Sequence, residues 1–110
     1  PAPPRPKART VLLVDDSPSV RRVLTTLVER NGWTAVTAKD GLEALEILQG
    51  GRTRPDVLLS DVEMPRMDGY ELLSTVRSLP ATAALPVVMI TSRSADKHRK
   101  RAMDLGANAY

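Results

Sequence analysis

Asp15 and Asp16 follow the apolar run Val11-Leu12-Leu13-Val14, Asp61 follows Val57-Leu58-Leu59-Ser60, and Thr91 with Ser92 follow Pro86-Val87-Val88-Met89-Ile90. Groups able to bind a hard cation or a phosphoryl oxygen thus close three separate apolar runs. If those runs are parallel strands, their carboxyl ends share one edge and the three acids meet there. Two unit charges ~4 Å apart repel by about 4 kcal/mol at an effective dielectric near 20, so such a cluster requires a positive partner. A hard divalent cation suits it, because Mg²⁺ takes oxygen ligands, keeps several waters and uses one or two carboxylates plus substrate phosphate. Asp61 could then act as a nucleophile, since a carboxylate can accept a phosphoryl group as an acyl phosphate. The cation and the Thr91 hydroxyl would stabilise charge on the transferring oxygens. Taken singly, each residue has a plainer use as a helix cap or turn residue; only the matched placement at three strand ends points to chemistry.

Composition narrows the options. A chain of 110 residues, 42% apolar, has room for one domain that just buries its own core. No apolar run approaches the ~20 residues that cross a bilayer, and no apolar secretory stretch opens the chain, which leads us to expect a cytoplasmic domain without membrane contact. With no cysteine and only His98 as a nitrogen ligand, disulfides, thiol nucleophiles and structural zinc are excluded, and any metal must be oxygen-bound. Of the 16 basic residues, Arg5, Lys7 and Arg9 lie in the first nine positions, which hold no acid; thirteen charges of each sign remain beyond them. A neutral balance argues against nucleic-acid binding, which wants a basic face.

The elements that must position these groups are readable from periodicity. Residues 1–9 hold Pro1, Pro3, Pro4 and Pro6 and read as a Pro-rich linker. From Thr10 onward, short apolar runs alternate with stretches of helical period. Ser17-Pro18 starts a helix with Val20, Val23, Leu24, Leu27 and Val28 on its apolar side, ended by Asn31-Gly32. Thr34 to Ala38 is β-rich, with Trp33 as a packing residue at its start. Asp40 caps a helix bearing Leu42, Leu45 and Leu48, which Gly50-Gly51 stops. A third helix carries Leu72, Leu73, Val76 and Leu79, with Arg77 directed to solvent and Pro80 as terminator. Residues 95–105 form a weaker helix closed by Gly106. Four strand-then-helix units imply a doubly wound α/β domain with a parallel sheet, in which ligands bind beyond the carboxyl ends of the strands where the winding reverses.

Asp15-Asp16-Ser17, Asp61-Val62-Glu63-Met64-Pro65-Arg66-Met67-Asp68-Gly69 and the run ending in Thr91 resemble the receiver domains of two-component response regulators, from Thr10 to the last residue. That resemblance implies a CheY-like (flavodoxin-like) sheet of order 2-1-3-4-5 and a receiver domain over residues 10–110. It implies that Asp61 is the phosphoacceptor, charged from a phosphohistidine on a histidine kinase or phosphotransfer domain, so that the domain is a signalling module rather than an enzyme. Asp15, Asp16, Asp61 and the backbone carbonyl of Glu63 would hold Mg²⁺, with Asp16 as direct ligand and Asp15 acting through water. Thr91 would bind the phosphoryl oxygens, and Tyr110 matches the family's switch aromatic. Thr91-Ser92-Arg93-Ser94, with Lys97-His98-Arg99, is similar to receivers fused to chemotaxis-type hybrid kinases.

One departure stands out. The family's lysine would fall about three residues past Tyr110, and most of a fifth strand and all of a fifth helix are missing. A chain of this extent is expected to show an open fourth-strand edge, bare apolar surface, impaired phosphorylation and self-association. Arg93, Lys97, Arg99, Lys100 and Arg101 give the last helix a positive face, either solvated or docking a partner; Met64 and Met67 pack their loop. Two rival functions remain, a receiver that never takes phosphate and an aspartate-nucleophile phosphohydrolase of the haloacid dehalogenase type. The second is disfavoured because Asp61-Val62-Glu63-Met64-Pro65 puts Glu and Pro where that class has Asp and Thr or Val. No G-x-G-x-x-G or G-K-[ST] supports nucleotide binding.

Overall fold

The computed structural model describes residues 9–51, 53–62, 64, 67–90 and 103–108. The Pro-rich lead-in up to residue 8, Glu63, Thr91, Ser92, Tyr110, and the helix expected over 95–105 up to residue 102, with its basic face and His98, lie outside the described residues.

Four strands, β1 (Thr10–Val14), β2 (Thr34–Ala38), β3 (Val57–Asp61) and β4 (Val87–Ile90), form one parallel sheet of order β2-β1-β3-β4. The helices α1 (Pro18–Arg30), α2 (Gly41–Gln49) and α3 (Gly69–Ser78) fill the crossovers. From β1 the chain winds one way to β2 and the other way to β3, so the winding reverses between β1 and β3. The expected order is thus present in its first four strands.

Local chemistry sets the boundaries. Ser17 is extended and its hydroxyl accepts from Val20 N, Pro18 opens α1, and Gly32 takes a positive φ of 79° just beyond it. Asp40 and Asp68 cap α2 and α3 by accepting from Glu43 N and Glu71 N, both at 2.9 Å. Leu79 is extended ahead of Pro80, which ends α3.

Alternation within the strands divides the core. Leu12, Val14 and Leu58 pack with Ala44 of α2, with Leu72, Leu73 and Val76 of α3, and with Val87 and Met89; Met64 and Met67 lie against this layer, as expected of residues that pack their loop. Val11 and Leu13 face the other way, onto Val28 and the half-buried Leu24 of α1.

Three expectations are corrected by this packing, and a fourth by the hydrogen bonds of Arg77. Of the apolar side assigned to α1, Val20, Val23 and Leu27 are 39%, 59% and 49% exposed. The helix covers β1 and β2 through Leu24 and Val28, while Leu59, Val88 and Ile90 on the β3–β4 half of that face are only half-buried among the described residues. On α2, Leu42 faces solvent while the small Gly41 and Ala44 make the close approach. Trp33 is 40% exposed rather than packed.

Arg77 does not point to solvent. Its guanidinium donates to the carbonyls of Gly106 (Nε 3.1 Å, Nη2 2.9 Å), Leu85 (Nη1 2.5 Å) and Ala83 (Nη1 3.3 Å) and to Asn108 Oδ1 (Nη2 2.8 Å). This clamp ties the end of α3 to the entry of β4 and to residues 106–108. Asn108 in turn brackets Val87, donating its N–H to Val87 O and accepting from Val87 N, both at 2.8 Å.

Candidate functional site

The register of the sheet assembles the acids. Val14 pairs with Ser60 across β1 and β3; the next residue on each is Asp15 and Asp61. Asp61 pairs with Ile90 of β4, the residue before Thr91. Each of Asp15, Asp16 and Asp61 offers a carboxylate oxygen within 4.8 Å of the others. The three acids therefore converge at the reversal of winding, beyond the carboxyl ends of β1 and β3, the position that binds ligands in such sheets.

Each acid is held differently. Asp15 is buried, its N–H donates to Ala38 O on β2 at 3.2 Å, and its Oδ1 accepts from Ser17 N at 2.8 Å. Asp16 is exposed and Asp61 is half-buried. Asp61 Oδ1 accepts from Val62 N at 2.8 Å, and Ser60 Oγ donates to Asp61 O at 2.9 Å. Gly69 N donates to Val62 O at 2.8 Å, fastening the start of α3 under the loop that follows Asp61.

Three carboxylates with one buried member make a hard, anionic donor set of the kind that suits Mg²⁺ or Mn²⁺. Opposite oxygens around an ion with bonds of 2.0–2.1 Å stand about 4 Å apart. A spread of up to 4.8 Å therefore leaves room for one acid to act through a water, and Asp15, with Oδ1 already engaged by Ser17 N, is suited to that place. Glu63 and Thr91, the other groups assigned to this site, and the switch residue Tyr110 lie outside the described residues.

Two residues around the site carry no role that the sequence alone suggests. Arg21, on α1, donates from Nη1 to Asp15 O at 2.6 Å. A basic residue near the start of a helix that lacks any acid in its first turn is the signal that could have found it. Gly69 is the other: a Cβ there would collide with Asp61 O and approach Met89 Cε to 2.7 Å.

A doubly wound sheet with an acidic trio at its reversal point defines a receiver-type fold. Residues 11–110 match the family described as the response regulator receiver domain, and the chain belongs to that family. It is 38% identical over 105 residues to the sensor histidine kinase CheAY of Helicobacter pylori, covering 96% of this chain and 13% of that protein. Among solved structures it is similar to chemotaxis protein CheY4 of Vibrio cholerae, with a TM-score of 0.86, 34% identity, and coverage of 93% of this chain and 83% of the other. The Mn²⁺-bound form of response regulator Rcp1 is also similar, with a TM-score of 0.84 and 27% identity over 93% of this chain and 78% of the other. The chain spans only 13–14% of the length of large curated relatives such as CheAY. The family is a signalling domain of two-component systems rather than an enzyme class. No described helix is long and apolar enough to cross a membrane.

Proposed function

We propose that this domain is a phosphoacceptor, taking a phosphoryl group from a phosphohistidine of a histidine kinase or phosphotransfer domain onto Asp61. A carboxylate oxygen of Asp61 attacks phosphorus, the P–N bond breaks, and the electron pair leaves with the imidazole, giving an acyl phosphate and a free histidine. Asp16 and Asp61 would hold Mg²⁺ directly, with Asp15 through water and the Glu63 carbonyl as the remaining protein donor, and the ion would offset charge on the phosphoryl oxygens. Thr91 receives those oxygens and Tyr110 follows its movement.

The single observation that supports this reading is the convergence of three carboxylate oxygens within 4.8 Å at the β1–β3 reversal. The sensor kinase among its relatives and the Mn²⁺-bound neighbour fit it in partner class and in metal class. Exchange with such a kinase requires a cytoplasmic domain. Incubation with Mg²⁺ and acetyl phosphate, followed by intact mass, should add one phosphoryl group that Asp61→Asn abolishes; steady turnover of the phosphate donor without a lasting adduct would instead indicate a hydrolase.

Apolar side chains left exposed or half-buried among the described residues, beside the edge of β4, support a further property, self-association. Val23 and Leu27 are exposed, and Leu59, Val88 and Ile90 on the same side of the sheet are only half-buried. A second copy covering this side removes apolar area from water. Sedimentation across a concentration series tests it.

A further inference from the structure

Arg21 is the fourth residue of α1, in a region where the helix dipole favours anions and disfavours cations. Its side chain is half-buried, yet it turns back past the helix start to donate from Nη1 to the main-chain carbonyl of Asp15 at 2.6 Å, and not to a carboxylate. Its own N–H donates to Ser17 O at 3.0 Å. That second bond is the regular first turn of α1, so what the Arg21 side chain adds is the tie to Asp15 at the head of the Asp15-Asp16-Ser17 turn. A neutral donor would satisfy a carbonyl equally well. A guanidinium placed against the dipole and partly removed from water needs compensation, and the carbonyl it reaches belongs to Asp15, a member of the converging acidic trio.

We infer that Arg21 is a positioning residue and resident counter-charge: it holds the acidic turn and offsets the mutual repulsion of Asp15, Asp16 and Asp61 while no metal is bound. The same charge opposes an incoming divalent cation, so Arg21 weakens metal binding as it steadies the metal-free site. The first half of this inference needs only the acids; the second half rests on the metal reading proposed above.

Two variants separate charge from hydrogen bonding, because R21Q keeps a donor without charge and R21K keeps the charge on a different donor. Thermal unfolding is followed in EDTA at about 0.01 M and 1 M salt, between which the screening length falls from ~30 Å to ~3 Å. Mg²⁺ binding is measured by calorimetry on the same proteins. R21Q should melt below wild type at low salt, with the gap closing at high salt, and should bind Mg²⁺ about threefold or more tightly, whereas R21K should match wild type in Mg²⁺ affinity. Equal, salt-independent losses of Tm in both variants with unchanged Mg²⁺ affinity would reduce Arg21 to an ordinary hydrogen bond. Should R21Q be unfolded in EDTA, recovery on adding Mg²⁺ supports the inference, and failure to recover with either Mg²⁺ or salt overturns it. A wild type indifferent to Mg²⁺ would remove the metal reading while leaving the salt-dependent Tm gap to decide the role of Arg21 in the metal-free site.

Discussion

Gly69 and Asp61 meet main chain to main chain: the space where a side chain at position 69 would begin is already filled by the Asp61 carbonyl oxygen. Gly69 N also donates to Val62 O, so α3 starts directly beneath the acid proposed to receive phosphate. Gly69→Ala must push the two segments apart. The expected loss is about 1–3 kcal/mol, the usual range for overpacking a filled interior, read from denaturant unfolding, together with slower labelling by acetyl phosphate. A variant as stable and as readily labelled as wild type would contradict this contact.

Asp16 is the exposed member of the acidic trio. Without metal, its charge adds to the repulsion among the three carboxylates. Asp16→Asn is expected to stabilise the metal-free chain slightly, by about 0.5 kcal/mol after allowance for solvent screening, and to abolish stabilisation by Mg²⁺. Melting curves with EDTA and with Mg²⁺ check both signs in one experiment.

Every N–H of the Arg77 guanidinium has an acceptor, four of the five contacts being main-chain carbonyls. Arg77→Ala removes this donor from the carbonyls of Gly106, Leu85 and Ala83, while Asn108 Oδ1 keeps Val87 N, and a loss of about 2–4 kcal/mol is expected. Lysine should recover only part, because a compact ammonium cannot reproduce a planar fork of five donors. Gly106→Ala should behave similarly on a smaller scale, about 1–3 kcal/mol, since Gly106 has φ of 101° and a Cβ there would stand 3.1 Å from Arg77 Nε. Denaturant unfolding of the three variants beside wild type gives the order.

Leu27 and Val23 lie 49% and 59% exposed on one side of α1. If copies associate through that side, Leu27→Lys combined with Val23→Glu should shift sedimentation toward the monomer without lowering Tm, as neither side chain is buried. Unchanged association would place the contact elsewhere.

Much of this fold was legible because it is written locally. Continuous apolar runs closed by Asp15, Asp61 and Thr91 marked three strands, and Ser17, Asp40, Asn31-Gly32 and Gly50-Gly51 marked helix ends, each through hydrogen bonds or backbone angles within a few residues. The acidic trio was legible for the same reason, as parallel strands bring their ends together whatever the intervening sequence. What failed were judgements that depend on distant neighbours. Helical period shows that Val20, Val23, Leu24, Leu27 and Val28 form one broad apolar side, but only the position of β2 decides that Leu24 and Val28 are the ones covered. Arg77 looked solvated because its acceptors Gly106 and Asn108 lie 29 and 31 residues further on. Arg21 was overlooked because its only mark in the sequence is a basic residue at a helix start with no acid in the first turn, which does not say that the partner is a main-chain carbonyl.

Asn108 engages both main-chain groups of Val87, at the first residue of β4. The rim of the sheet therefore carries one fixed register point at this end, and a strand continuing from Asn108 along β4 would inherit its alignment from it. Because a shift of one position would swap inward and outward side chains, a single asparagine decides which residues such a strand turns toward the core.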